Sequence, residues 1–197
     1  MDRRKVLEDD PELMEFFSRF EQLYRRLGDA FIKELNRLPA LPDLFVDRWK
    51  RAEMLGFGKG TNIYDSSLVI GDVHIGNECW IGPNTILDGS GGLAIGDCCT
   101  ISAGVQIYSH DNVKQTLTSK KLPIERKGTT IGNNVYIGPQ AIITKGVRVG
   151  NNVVIGTFSL VNRDVSDNCI VIGQPARAVG SIAMGEDDIV TFNYFNK

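Results

Sequence analysis

The sequence predicts a mainly β fold: a parallel β-helix of six-residue repeats, preceded by an α-helical segment. Three observations predict it. An aliphatic residue recurs at every sixth position through much of residues 60–182. A small or β-branched residue follows each aliphatic four places later. Glycine crowds into the same stretch: of 21 glycines in 197 residues, only three precede residue 60. That composition shift sets the expected division: residues 1–59 as an N-terminal helical segment, 60–182 as the β-helix and 183–197 as a C-terminal tail.

The N-terminal segment has helical spacing. From Pro11 to Leu38, apolar residues fall at Leu13, Phe16, Phe17, Phe20, Leu23, Tyr24, Leu27, Phe31 and Leu35. This pattern fits one amphipathic helix, or two broken near Gly28. Pro39 and Pro42 punctuate the chain, and Asp43–Leu55 fits a further short helix. The charges here are mixed rather than basic, which favours packing over a membrane-surface role.

The repeat is clearest from Thr130. Ile131, Ile137, Ile143, Val149, Ile155 and Val161 stand six apart, with Gly132, Gly138, Gly150 and Gly156 behind four of them. Val135, Ala141, Val147, Val153, Ser159 and Val165 form the second column. Earlier, Ile75, Ile81 and Leu87 keep the spacing, and Ile95, Ile101 and Ile107 resume it. Cys79, Thr85, Cys99 and Val105 occupy the small-residue column there, while Ile63 and Val69 extend the series backward. A period of six matches neither a helix nor a simple strand; it matches a short strand followed by a corner. Three such sides make a coil of about 18 residues, and stacked coils bury a continuous apolar column. Each buried aliphatic contributes about 1.5–3 kcal/mol, so the column is the main stabiliser. Cys79 and Cys99 therefore point inward as packing, and His74, directly before Ile75, points outward.

Two places break the pattern. Asp88-Gly89-Ser90-Gly91-Gly92 accompanies a phase break of two residues. Residues 108–130 lack the pattern altogether, yet Ile107 to Ile131 is 24 residues, a multiple of six, so the insert leaves and rejoins in phase. It is read as an excursion loop, and long loops in compact domains are usually functional or disordered. It holds His110, Asp111 and five basic residues: Lys114, Lys120, Lys121, Arg126 and Lys127.

Composition excludes several functions. A net charge of −2 offers no global field for nucleic acid. No run reaches the roughly 18–20 apolar residues needed to span a bilayer, and no apolar leader follows the charged start, so a cytoplasmic protein is expected. The four cysteines form no CxxC pair and have only two histidines to join them, so no metal site is expected.

The repeat, Tyr108-Ser109-His110-Asp111, and the ending Ile172-Gly173-Gln174-Pro175-Ala176-Arg177 together resemble the hexapeptide-repeat acyltransferases. The branch is that of the maltose, galactoside and polysaccharide O-acetyltransferases. The resemblance covers about 60% of the chain, Thr61–Ser181. It implies a left-handed parallel β-helix, a homotrimer with active sites between neighbours, acetyl-CoA as donor and a sugar as acceptor.

It also implies roles. His110 matches the family's general base; an unperturbed imidazole titrates near pH 6.5, so it suits proton removal as the acceptor attacks the thioester. A lone loop histidine is ordinarily a solvated surface residue, and the family motif reverses that reading. By the matched repeats, Tyr136 falls where the family has a cleft-facing aromatic beside CoA, and Pro139 and Thr157 fall beside the pantetheine arm. Asn162 and Arg163 take the place of a Thr-Lys pair, and Arg177 falls near the adenosine phosphates. Guanidinium groups suit such a polyanion. Asp88 and Asp111 are first read as turn residues bonding their own backbone. Together with Asn84 they are also the candidates for acceptor binding, and either carboxylate is a candidate for orienting His110. One departure stands out: where galactoside and maltose enzymes carry an acceptor-binding asparagine, this chain has Gly82, with Asn84 two residues on.

Three alternatives stay open or recede. N-acetylation of a nucleotide-linked amino sugar would use the same base and donor site. A γ-type carbonic anhydrase needs three histidines per zinc, and this chain has two in all. A non-catalytic scaffold leaves His110 and the C-terminal turn unexplained.

Overall fold

The computed structural model describes residues 2–186 and 189–195. The chain divides into two compact units, Met1–Asp47 and Arg48–Lys197. The first unit holds helix α1, Pro11–Leu35, and the short helix α2, Leu41–Phe45. Asp10 caps α1 by accepting the Leu13 N–H at 3.0 Å, with Pro11 in the first turn. The helix ends at Asn36, which takes a left-handed conformation. Gly28 does not break it. Gly28 is buried, and a side chain there would press on Leu38, where the chain doubles back. Phe20 stacks on Phe16 at 6.4 Å and on Phe45 at 5.8 Å.

The expected helix over Asp43–Leu55 is two helices, and the two compact units meet between them, at residues 47/48. Helix α3, Arg48–Met54, belongs with the β-helix because Arg51 binds it there. The Arg51 guanidinium donates to the carbonyls of Tyr64 and Ser67 and pairs with Asp65 at 3.1 Å.

The second unit is a three-faced solenoid of parallel strands. The first face stacks Asn62–Ile63, Trp80–Ile81, Thr100–Ile101, Tyr136–Ile137, Val154–Ile155 and Cys169–Gly173. The second face stacks the strand pairs at 68–69, 86–87, 106–107, 142–143 and 160–161. The third stacks 73–75, 93–95, 129–131 and 148–149, with Val165 bridging to Val149. Ile63, Ile81, Leu87, Ile107, Ile137, Ile143 and Ile155 are wholly buried, and the small-residue column from Cys79 to Ser159 is buried beside them. The six-residue period thus becomes one inward residue per face.

The corner between the third and first faces is regular. Glu78, Cys98, Asn134, Asn152 and Asn168 turn it in the left-handed conformation. Just before them, each side chain accepts the backbone N–H of the coil next to it. Asp97 accepts from Asn77 at 2.6 Å, Asn133 from Asp97 at 2.8 Å, Asn151 from Asn133 at 2.8 Å and Asp167 from Asn151 at 2.7 Å.

The tail expected from residue 183 begins inside a strand. Ala176–Met184 runs past that point and pairs antiparallel with Cys169–Gly173 on one side and Val190–Tyr194 on the other. The strand-end segment therefore extends the first face rather than trailing from it.

Candidate active site

The corner between the second and third faces is the irregular one. Successive coils cross it through residues 70–72, 88–92, 108–128, 144–146 and 162–164. The two-residue phase break and the excursion loop therefore stack directly on each other, because Leu87 pairs with Ile107 and Ile95 with Ile131. Neighbouring coils lie about 4.8 Å apart, so side chains from all five passes share one edge.

Asp88 and His110 meet there. The Asp88 side chain is fully buried, whereas the His110 side chain is one-third exposed. Asp88 Oδ1 accepts the Ser90 N–H at 3.0 Å. Its Oδ2 accepts the Ser109 N–H at 2.9 Å and lies 2.6 Å from His110 Nδ1. Gly91 N–H donates to Ser109 Oγ at 2.8 Å, and a side chain at Gly91 would strike the Ser109 carbonyl. Burial opposes ionisation of Asp88, but bonds from Ser90, Ser109 and His110 outweigh it and hold the carboxyl down at about 2. An ionised carboxylate only accepts, so the short contact places the hydrogen on Nδ1. In the neutral ring Nε2 is then the basic nitrogen.

His110 and Asp111 form a short strand paired antiparallel with Glu125–Arg126, closing the excursion loop as a hairpin. The loop is therefore ordered, and it contains a short helix, α4, Val113–Leu117. Tyr108, His110, Asp111, Asn112, Thr144 and Lys145 line an open pocket of about 330 Å³ at its base. Lys145 Nζ contacts Asp111 Oδ2 at 2.7 Å and Glu125 Oε2 at 2.6 Å. Both carboxyls are held below their ordinary range, chiefly by their lysine hydrogen bonds, and the Lys145 ammonium is raised chiefly by Asp111 and Glu125.

The same edge, further along the axis, carries a second pocket of about 200 Å³. Asn162, Arg163 and Arg177 line it together, although 14 positions separate Arg163 from Arg177. The sequence placed these three near one ligand, and the fold brings them together.

Other candidates lie elsewhere. Tyr136 faces outward from the first face and is exposed. Pro139 and Thr157 lie at the corner between the first and second faces, where Asn84 also sits, exposed and left-handed. On one chain the second face separates these four from His110. Asp88 offers no exposed surface to an acceptor: it is both the turn residue first read there and the partner of His110. Gly82 leaves no room for an asparagine, since a Cβ would lie 2.8 Å from the Ala103 backbone nitrogen. His74 is exposed, as expected, with Nε2 2.9 Å from Asp72.

Sequence reasoning did not single out Lys145 and Glu125 as site residues. One signal was available: Lys145 stands two residues after Ile143, the position in its coil that corresponds to Ser109 after Ile107. Among the described residues, no cluster of three or more histidine, cysteine or acidic side chains could hold a metal ion. Among them, too, no helix is long and apolar enough to cross a membrane.

Comparison with known proteins agrees with this architecture. Residues 128–163 match the family described as bacterial transferase hexapeptide (six repeats). Residues 72–109 match the hexapeptide repeat of succinyl-transferase. Protein CapG of Staphylococcus aureus is 41% identical over 122 residues, covering 60% of this chain and 71% of CapG. Among solved structures, galactoside acetyltransferase in complex with coenzyme A has a TM-score of 0.54 at 23% identity, covering 81% of each chain. The hexapeptide-repeat acetyltransferase VCA0836 of Vibrio cholerae has a TM-score of 0.54 at 22% identity, covering 81% of this chain and 89% of that one. AntD of Bacillus cereus, an N-acyltransferase in complex with dTDP and 3-hydroxybutyryl-CoA, has a TM-score of 0.55 at 20% identity, covering 69% and 90%. With two stretches of the repeat matched and a relative this similar over most of its length, the chain belongs to the hexapeptide-repeat acyltransferase family.

Proposed function

We propose that this chain is an acetyl-CoA-dependent O-acetyltransferase acting on a sugar hydroxyl, of a saccharide or a surface-polysaccharide precursor. The observation that carries this reading is the buried Asp88 carboxylate 2.6 Å from His110 Nδ1, with His110 on the wall of an open pocket. His110 Nε2 removes the hydroxyl proton as the acceptor oxygen attacks the thioester carbonyl. The C–S bond breaks, and the imidazolium returns the proton to the departing thiolate, leaving an ester and CoA thiol. No covalent enzyme intermediate is needed. A positioned general base of this kind supplies about 10²–10⁴-fold in rate.

Asp88 acts here as a positioning residue: it fixes the tautomer and stabilises the imidazolium as it forms. Asp111, on the same pocket wall, is the better placed of the two carboxylates to meet the acceptor. On the donor side, Asn162, Arg163 and Arg177 bind the phosphate-bearing end of acetyl-CoA, with paired guanidinium groups suited to its anionic oxygens. Tyr136, Pro139, Thr157 and Asn84 serve the site of a neighbouring copy, in a homotrimer whose clefts join the first face of one chain to the irregular corner of the next. Four free thiols suit a reducing, cytoplasmic setting.

The same base would serve a primary amine. AntD, an N-acyltransferase seen with dTDP, shares the fold, so a nucleotide-linked amino sugar is the second candidate acceptor. A panel of sugars and nucleotide-linked amino sugars, assayed for acetyl-CoA-dependent release of CoA thiol, tests the proposal. Turnover with a hydroxyl acceptor supports it. Turnover confined to amines overturns the O-acetyl assignment, and no CoA binding in calorimetry returns the chain to a scaffold role.

A further inference from the structure

The hairpin that carries His110 contains an electrostatic conflict and its resolution. Asp111 and Glu125 stand directly opposite each other in the antiparallel ladder. Like charges at such a pair are destabilising. Lys145, from the next coil along the axis, reaches across and contacts both carboxylates at 2.7 and 2.6 Å, with only a fifth of its side chain exposed. Lys114, on α4, takes the other oxygen of Glu125 at 2.5 Å. Hydrogen bonds tie the base of the excursion loop to the neighbouring coils: Ser109 N–H donates to Asp88, Gly146 N–H to the Lys127 carbonyl, and the Thr129 hydroxyl donates to the Tyr108 carbonyl at 2.7 Å and accepts the Gly146 N–H at 3.0 Å. The Lys145 ammonium adds an ionic tie at the hairpin itself, where Asp111 faces Glu125.

We propose that Lys145 is a positioning residue: by bridging Asp111 and Glu125 it holds the hairpin closed and so fixes His110 against Asp88. The link to catalysis rests on the reading of His110 as the base. Loss of the ammonium leaves two carboxylates facing each other one residue from His110, and the hairpin opens locally.

The chain has only two histidines, so the imidazole signals of His110 can be assigned with His74→Gln. In Lys145→Met, the His110 signals should broaden or shift, and trypsin should cut at Lys120–Lys121 about tenfold faster, as local opening exposes the loop. Lys145→Arg should keep both signals and cleavage near wild type. The triple variant Lys145→Met/Asp111→Asn/Glu125→Gln removes the repulsion along with the cation and should recover the loop without restoring a charge. Where acetyl transfer is measured, kcat should fall in Lys145→Met with KM for acetyl-CoA unchanged, and should stay near wild type in Lys145→Arg; the triple variant is read only by its loop, since it also removes the Asp111 carboxylate from the pocket. Unchanged His110 signals and cleavage in Lys145→Met overturn the clamp. A loosened loop with undiminished kcat overturns its catalytic relevance. A triple variant whose loop stays as open as that of Lys145→Met overturns the charge conflict as the cause. The spectroscopic and proteolytic results stand even if the acyltransfer reading fails.

Discussion

Two corners of the same solenoid follow opposite rules. At the corner between the third and first faces, each coil repeats its neighbour: a left-handed residue turns the chain, and one Asn or Asp side chain bonds the next coil. At the corner between the second and third faces, no two of the first three coils have the same length. Coils there run six residues from Val69 to Ile75, eight from Leu87 to Ile95 and 24 from Ile107 to Ile131. The first corner stabilises the stack. The second departs from the repeat, and there the fold gathers a buried carboxylate, an imidazole, a bridging lysine and Arg163, which shares a pocket with Arg177. If chemistry resides at the second corner, as proposed, mutations at the two corners should have separable effects on stability and on turnover.

The largest effect belongs to His110. His110→Ala should lower acetyl transfer by about 10²–10⁴-fold, the worth of a positioned general base. Its melting temperature should stay close to that of wild type, since the ring is partly exposed; near-normal turnover would remove His110 from the mechanism. Asp88→Asn should cost about 10²-fold, because a misdirected base loses roughly that much. Asp88 has a folded-state pKa of about 2 against an ordinary 3.8, so its ionised form adds stability above the ordinary value. That contribution should be complete above about pH 4 and lost as pH falls through about 2. Acid unfolding of wild type and Asp88→Asn, followed by circular dichroism, should therefore converge at the acid end; a constant gap across that window would contradict the assignment.

Arg163→Ala should raise KM for acetyl-CoA about tenfold with kcat little changed, the expected loss of a charge-assisted contact. A fall in kcat alone would place Arg163 at the reacting centre instead. The smallest effect belongs to the regular corner. Asn151→Ala strips the Asn133 N–H of its acceptor and should cost about 1 kcal/mol in urea unfolding, with acetyl transfer unchanged. A rate change there would end the separation between the two corners.

The same contrast explains what was legible in the sequence. The inward column could be read because burial of one residue in six leaves a period that tolerates no slip: Ile137 and Ile143 are where the spacing put them, wholly buried. Excursion loop 108–130 could be located because the period lapses there, but its internal pairing of Asp111 with Glu125 could not, since a two-residue ladder leaves no period of its own. The contact between Asp88 and His110 spans 22 positions and depends on two insertions stacking at one corner, a match of coil phase rather than of local pattern. Gly28 left one helix or two open; the single helix forms because the glycine's cost within it is offset by the close approach of Leu38, a tertiary contact. The grouping of helix α3 with the β-helix was not legible for a similar reason: its attachment runs through the Arg51 side chain, which helical spacing does not report.

A crystal structure of the protein with bound CoA decides whether chemistry occurs where the repeat breaks. The CoA sulfur should lie in the pocket beside His110 Nε2, with the phosphates toward Arg163 and Arg177. A thiol lodged away from every copy of His110, at the corner formed by Pro139 and Thr157 alone, would contradict it.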